Sequence, residues 1–180
     1  MKYAQLRTMD IANGPGIRVS LFVSGCTHNC KGCFNEAYQD FNYGQEMSME
    51  VTETILSLLR QSQYKGLTLI GGEPFQNVQL VEFIRPIRAF VDEYNAGLED
   101  REFDKKDIWI YSGYTFEEIL EDPKKLALLE LCDVLIDGLF EESLLNLKLK
   151  FRGSSNQRIL DVKQSLEQGS PIFYYDDASI

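Results

Sequence analysis

Residues 17–35 read IRVSLFVSGCTHNCKGCFN, a strand-like run that leads directly into a loop with three cysteines. Positions 17, 19, 21 and 23 are apolar and alternate with the residues between them, which is the pattern of a β-strand. The loop then places Cys26, Cys30 and Cys33 at the spacing C-x3-C-x2-C. We therefore predict a strand whose carboxyl end carries a thiol-rich loop.

Clustered thiolates select zinc, copper(I) or iron–sulfur clusters. A structural zinc site normally has four protein ligands, and His28, the only histidine of the chain, is the candidate for a Cys3His site. A fully ligated 4Fe–4S cluster takes four cysteines, whereas this loop offers three. We therefore favour a 4Fe–4S cluster held by three thiolates, with one iron left open. The remaining cysteine, Cys132, stands between apolar residues and is predicted to be an ordinary buried thiol.

Outward from this stretch, predicted strands alternate with helices. The predicted strands are 17–24, 67–72, 107–113, 133–138 and 158–162. Helices are predicted from Ser48 to near Gly66, after Asn77 with an interruption or kink at Pro86, and from Thr115, and 95–106 reads as a charged connection. This order predicts an α/β fold with a mostly parallel sheet and helices outside, either doubly wound or a partial (β/α) barrel.

Chemically informative residues follow several of the predicted strands. The GGEP motif (71–74) ends the second, SGYT (112–115) the third and DG (137–138) the fourth. Parallel strands present their carboxyl ends at one edge of the sheet, so these loops are expected to meet the cysteine loop. The adjacent glycines allow a ligand to approach the backbone closely, and Glu73 is suited to positioning an ammonium group.

Composition excludes several classes of protein. The chain has 180 residues and a net charge of −10, which argues against nucleic-acid binding. No apolar run is long enough to cross a membrane, and the first residues do not resemble a secretory signal, so we expect a cytoplasmic protein. The length predicts one domain over 1–180, with the last ~10–15 residues as a tail or docking segment.

Four segments together carry a resemblance to a known family. The cysteine spacing followed by GGEP resembles the radical S-adenosylmethionine superfamily. NGPGIRVSLFVSGCTHNCKGCFN, LTLIGGEPF, VLIDGLF and FRGSSNQRI are similar to its branch of activating proteins for anaerobic (class III) ribonucleoside-triphosphate reductases. The resemblance covers 10–162 and implies a partial barrel of the radical S-adenosylmethionine type.

The resemblance implies a chemistry that the cofactors carry, with no catalytic side chain. Cys26, Cys30 and Cys33 match the ligands of a 4Fe–4S cluster, whose open iron chelates S-adenosylmethionine. Reductive cleavage then gives a 5′-deoxyadenosyl radical, which takes a hydrogen atom from a glycine of the reductase. The residues matched to S-adenosylmethionine binding are Gly71, Gly72, Glu73 and Pro74 for the methionyl end, Gly32 and Phe34 for the adenine, and Ser112 and Gly113 for the ribose or carboxylate.

The implied partners are the large reductase subunit and a low-potential electron donor such as flavodoxin or ferredoxin. No nucleic acid or membrane is implied, and a homodimer is compatible with the resemblance. For Asp137, Asn156 and Arg158 a structural and a partner-facing role are both open. Two alternatives stay open for the whole chain: a small radical enzyme acting on another glycyl-radical enzyme or on a small molecule, and the Cys3His zinc module.

Overall fold

A mixed sheet of seven strands forms the centre of the fold. The computed structural model describes residues 1–98 and 104–175. Its strands are β1 (Lys2–Asp10), β2 (Ile17–Val23), β3 (Gln45–Glu46), β4 (Tyr64–Gly71), β5 (Asp107–Tyr111), β6 (Val134–Asp137) and β7 (Arg158–Asp161). They lie in the order β3-β1-β2-β4-β5-β6-β7.

The four central strands are parallel, which confirms the predicted α/β class. β2 pairs with β4, β4 with β5 and β5 with β6, all in parallel. The register sets Val23 opposite Gly71, so the cysteine loop and the GGEP loop leave the sheet side by side. The predicted convergence of these two loops is therefore confirmed.

The outer strands are antiparallel, a detail that the predicted mostly parallel sheet did not specify. The predicted strand 158–162 is present as β7, and it pairs antiparallel with β6, because the connection from 138 to 157 contains no α-helix to carry the chain back across the sheet. β1 was not predicted, and it pairs antiparallel with β2 through the short connection 11–16. β3 adds two residues to the edge beside β1.

Five helices are found in the described residues: α1 (Met49–Leu59), α2 (Leu80–Ala96), α3 (Phe116–Leu120), α4 (Pro123–Leu129) and α5 (Val162–Gln168). The predicted capping box at Thr115 and Glu118 is present at the start of α3. Gly66 does not end α1, because the chain has already entered β4 at that point. Pro86 does not interrupt α2, since Ile84 and Ile87 bury that helix against the core and such packing outweighs one lost hydrogen bond.

The main core lies on one face of the sheet. Leu21, Leu69 and Ile110 belong to it, together with Ile55 of α1 and Ile84 of α2. The predicted charged connection 95–106 begins later than expected, because its first residues belong to α2, which ends at Ala96. Residues 99–103 of this connection lie outside the described residues. The long helices α1 and α2 therefore close the sheet on this side.

The other face carries a smaller aromatic cluster around Trp109. The ring of Trp109 meets the rings of Phe151 and Tyr174 edge-on, with centroids 5.4 and 5.7 Å away. Tyr174 is held there because its backbone N–H donates to the Ile159 carbonyl of β7 at 2.9 Å. The predicted tail thus packs on the sheet as far as Tyr175, and the rest of it, 176–180, lies outside the described residues.

Within 1–98 and 104–175, no helix is both long and apolar enough to cross a bilayer.

Candidate functional site

Loops from four neighbouring strands meet at the carboxyl edge of the sheet. The backbone N–H of Gly72 donates to the Val23 carbonyl and that of Glu73 to the Gly25 carbonyl, both at 2.8 Å. A Cβ atom on Gly72 would lie 2.5 Å from the Gly25 oxygen, so only glycine permits this approach. The second glycine of GGEP is therefore what brings its loop against the cysteine loop.

We expect Gly72→Ala to disturb the cysteine loop, because its methyl group would overlap backbone atoms that cannot rotate away. Iron incorporation after anaerobic reconstitution should fall severalfold, and the free energy of unfolding should fall by about 1–3 kcal/mol. Gly97→Ala is the matched control, since its nearest contact is an ordinary 3.5 Å. Equal iron content in the two variants would contradict this account of Gly72.

The cysteine loop wraps tightly around its three thiols. Asn29 and Gly32 adopt left-handed backbone conformations with φ of 56° and 73°, and the Cys33 N–H donates to the Cys30 carbonyl at 3.2 Å. All three thiols are partly exposed. Cys132 is buried away from them, and its thiol donates to the Leu128 carbonyl at 3.4 Å, which confirms the prediction made for it.

Two of the three thiols, those of Cys26 and Cys30, have a raised pKa in this environment. Burial, with further contributions from Glu73 and the neighbouring cysteines, raises the pKa of Cys26 to about 11. Burial also raises the pKa of Cys30, although less strongly. Binding of a cationic metal centre must therefore displace protons from these sulfur atoms.

Glu73 joins three of the loops through its carboxylate. Oε1 accepts hydrogen bonds from the Phe75 N–H and the Ser112 hydroxyl, both at 3.0 Å. Oε2 accepts from the Gly113 N–H at 2.7 Å and lies 2.9 Å from Nε2 of His28. Only 1% of the residue is exposed to solvent.

Most of the predicted site residues line one cavity of about 600 Å³. This size is typical of small-molecule sites. The predicted residues that line it are Cys26, Cys30, Cys33, Phe34, Gly71, Gly72, Glu73, Ser112 and Gly113. Three thiols, two glycine-containing backbone segments and an aromatic side chain therefore line the same space.

Two predicted residues are placed elsewhere. Gly32 faces Glu142, where an added Cβ would lie 3.0 Å from Oε1. Pro74 is buried and begins the short 3-10 turn Pro74–Gln76. Neither residue lines the cavity, and each shapes the backbone beside a residue that does.

The sequence left the role of Asp137, Asn156 and Arg158 undecided, and in the structure these residues contact other parts of the protein. Asp137 is buried and accepts hydrogen bonds from the Phe116 N–H at 2.7 Å and from Nε of Arg158 at 2.9 Å. Arg158 also pairs with Glu117 at 2.7 Å, and the Asn156 amide donates to the Leu139 carbonyl at 2.8 Å. These side chains hold β7 and the loop before it in place.

Several residues of the cavity were missed by sequence reasoning. They are Asn35, Tyr111, Phe140, Phe151, Arg152 and Gly153. Phe140 lies against Phe34 with ring centroids 5.1 Å apart, and a Cβ on Gly153 would lie 3.0 Å from the Phe140 ring. The signal was present, since VLIDGLF and FRGSSNQRI stand out as motifs, but nothing in their pattern assigns them to a wall of this cavity.

The donor set suits a cluster that takes one thiolate per iron. Three thiols line the cavity, and it has space beside them for a further ligand. In the described residues no three histidine, cysteine, aspartate or glutamate side chains are gathered around a single-ion position. His28 is turned toward Glu73, with its ring edge-on to Tyr114 at 4.5 Å between centroids.

Comparison with known proteins agrees with this site. Residues 12–160 match the family described as 4Fe-4S single cluster domain. The chain is 40% identical over 161 residues to the anaerobic ribonucleoside-triphosphate reductase-activating protein of Enterobacteria phage T4, covering 88% of this chain and 93% of that protein. The proteins of the same name from Vibrio cholerae and Escherichia coli K12 are each 37% identical, over 88% and 87% of this chain and 97% and 96% of their own. The chain therefore belongs to the 4Fe-4S single cluster domain family and, within it, to the anaerobic ribonucleoside-triphosphate reductase-activating proteins.

Proposed function

We propose that this protein activates an anaerobic ribonucleoside-triphosphate reductase by generating a glycyl radical on its large subunit. The observation that carries the proposal is the cavity in which Cys26, Cys30 and Cys33 face the GGEP loop. The names of the relatives support the choice of partner. The cofactors of this reaction are a 4Fe–4S cluster and S-adenosylmethionine.

The protein supplies ligands, orientation and shielding. Cys26, Cys30 and Cys33 would hold three irons of the cluster, and the absence of a fourth cysteine in the loop would leave one iron for S-adenosylmethionine. Once reduced by the low-potential donor, the bound cluster would supply one electron to the sulfonium, so that its C–S bond breaks to methionine and a radical that takes the glycine hydrogen atom and becomes 5′-deoxyadenosine. No side chain is assigned to bond making.

The walls of the cavity suggest where each part of S-adenosylmethionine binds. The GGEP loop, Gly71 to Pro74, binds the methionyl end through its exposed backbone and the negative charge of Glu73. Phe34 borders the adenine, and its contact with Phe140 supports an apolar wall there, whereas Gly32 only shapes the backbone beside the last cysteine. Ser112 and Gly113 border the ribose or carboxylate, because they follow β5 and hydrogen-bond to Glu73.

The wider organisation is proposed on the same basis. We infer a single domain over 1–180 whose sheet curves as a partial barrel, a proposal supported by the residues from the loops after β2, β4, β5 and β6 that line one cavity. A flavodoxin or ferredoxin as electron donor and a homodimer remain predictions from the resemblance, and a cytoplasmic location remains a prediction from the sequence. The net charge of −10 is compatible with all three.

The proposal is tested by anaerobic reconstitution with the large reductase subunit, S-adenosylmethionine and a low-potential reductant. We expect electron paramagnetic resonance to show a glycyl radical on the reductase, with 5′-deoxyadenosine formed in comparable amount. The control omits this protein and should give no radical. No radical with the reductase, but a radical with another glycyl-radical enzyme, would contradict the proposal, as would a preparation that binds one zinc and no iron.

A further inference from the structure

His28 has lost its sequence-based role as a fourth ligand, yet it is not a free loop residue. It stands between two cluster cysteines, and only 15% of its side chain is exposed. Nε2 lies 2.9 Å from the Glu73 carboxylate, and the ring packs on Gly113, where an added Cβ would lie 2.6 Å from Cδ2. One imidazole therefore contacts the GGEP loop and the loop after β5.

The direction of this hydrogen bond follows from the other partners of Glu73. Both carboxylate oxygens already accept hydrogen bonds from backbone N–H groups, those of Phe75 and Gly113. A carboxylate in this setting only accepts, so His28 donates through Nε2. With Ser112 as the fourth donor, the acceptor positions of the carboxylate are filled by the protein itself.

A second set of hydrogen bonds holds the same part of the cysteine loop. The Thr27 N–H donates to Oε1 of Gln76 at 2.9 Å, and the Gln76 amide donates back to the Thr27 hydroxyl at 2.8 Å. The Gln76 amide also donates to the Tyr114 hydroxyl at 3.0 Å. Thr27 and His28, the two residues that follow Cys26, thus tie the cysteine loop to the GGEP segment and to the loop after β5.

From this geometry we infer that His28 is a positioning residue of the cofactor site. By donating to Glu73 it holds the loop between Cys26 and Cys30 at a fixed distance from the GGEP and Ser112–Gly113 segments. S-adenosylmethionine must contact the open iron and these segments together, so the proposal rests on the function proposed above. Glu73 then acts through its charge and through the loops it joins, because its oxygens have no position left for another donor.

The alternative is that His28 serves the cluster itself, as a ligand or as a support for the fold of its loop. The two roles differ in what a substitution removes. Loss of a positioning residue leaves three thiolates and a cluster, and it weakens the binding of S-adenosylmethionine, since the site must then be ordered by the ligand. Loss of a ligand or loop support removes iron.

The test compares His28→Ala with His28→Gln, whose amide nitrogen can take the place of Nε2. Lys31→Ala is the matched control in the same loop, because Lys31 is exposed and pairs with Glu142 rather than with GGEP. Each variant is reconstituted anaerobically and assayed for iron and sulfide. Binding of S-adenosylmethionine is then measured by titration calorimetry and by the change that it causes in the resonance spectrum of the reduced cluster.

We expect His28→Ala to keep the iron content of the unmodified protein and to bind S-adenosylmethionine about tenfold more weakly, with an altered spectral change. His28→Gln should recover binding to within about threefold, and Lys31→Ala should match the unmodified protein. Unchanged binding in His28→Ala would overturn the inference, and so would loss of iron from that variant. If the unmodified protein itself held a cluster but did not bind S-adenosylmethionine, the proposed function would fail instead.

Discussion

Replacement of Cys30 by alanine is expected to abolish both the cluster and the cleavage of S-adenosylmethionine. Cys30 is the middle one of the three proposed ligands, and on that proposal the other two thiols cannot hold a cube whose third iron has no protein ligand. Anaerobically reconstituted protein should contain less than about a tenth of the normal iron and sulfide and produce no detectable 5′-deoxyadenosine. Iron analysis, the absorption of the cluster and chromatography of the nucleoside products provide the measurements.

Cys132→Ala is the control for this prediction. Cys132 is buried in the main core and does not line the cavity, so its removal should leave the iron content and the reaction unchanged. The truncation of a buried side chain should lower the free energy of unfolding by about 1 kcal/mol. Loss of the cluster from Cys132→Ala, or full iron content in Cys30→Ala, would contradict the assignment of three ligands.

Replacement of Arg18 by methionine is expected to cause the largest loss of stability. The guanidinium is fully buried and pairs with the Asp107 carboxylate at 2.6 Å. It also donates to the Thr68 hydroxyl at 2.7 Å and to the Leu67 carbonyl at 2.8 Å, so that it joins β2, β4 and β5. Removal of one member of such a pair leaves a buried charge without its partner, which costs about 3–5 kcal/mol.

Denaturant unfolding under anaerobic conditions measures this loss. Arg85→Met is the matched control, because Arg85 lies on the exposed side of α2 and its replacement should change the free energy of unfolding by no more than about 0.5 kcal/mol. In the double variant Arg18→Met with Asp107→Asn, part of the loss should be recovered, since no uncompensated carboxylate remains. Equal stability of the Arg18 and Arg85 variants would show that the buried pair contributes nothing.

The parallel centre of the fold could be predicted because its signals are local. The alternating residues of β2 and the apolar run of β4 identify strands by periodicity alone. The existence of β1 and the direction of β7 could not be predicted in this way. β1 exposes Gln5, Arg7 and Met9, so it lacks a clear apolar side. The direction of β7 depends on the absence of an α-helix from the connection 138–157.

The candidate site likewise contains residues that the local sequence reveals and residues that only the folded structure brings together. Cys26, Cys30 and Cys33 are recognisable because three thiols so close together in a polar loop indicate metal binding, and Gly72 because of its place at a strand end. Phe140 and Gly153 were missed because they approach Phe34 only through tertiary packing. The partners of Glu73 and His28 were missed for a related reason, since hydrogen bonds across 40 residues or more leave no periodic trace.

The residues that line the cavity are far apart in the sequence, and this separation bears on when the cluster can be inserted. The three thiols are complete by residue 33, whereas the walls that face them include Ser112 and Gly153, which are synthesised much later. A cluster delivered to the nascent loop would stand in open solvent, without the apolar wall and without the loops that anchor Thr27 and His28. Maturation of this protein is therefore expected to follow completion of its polypeptide, with the cluster inserted into a site that has already formed.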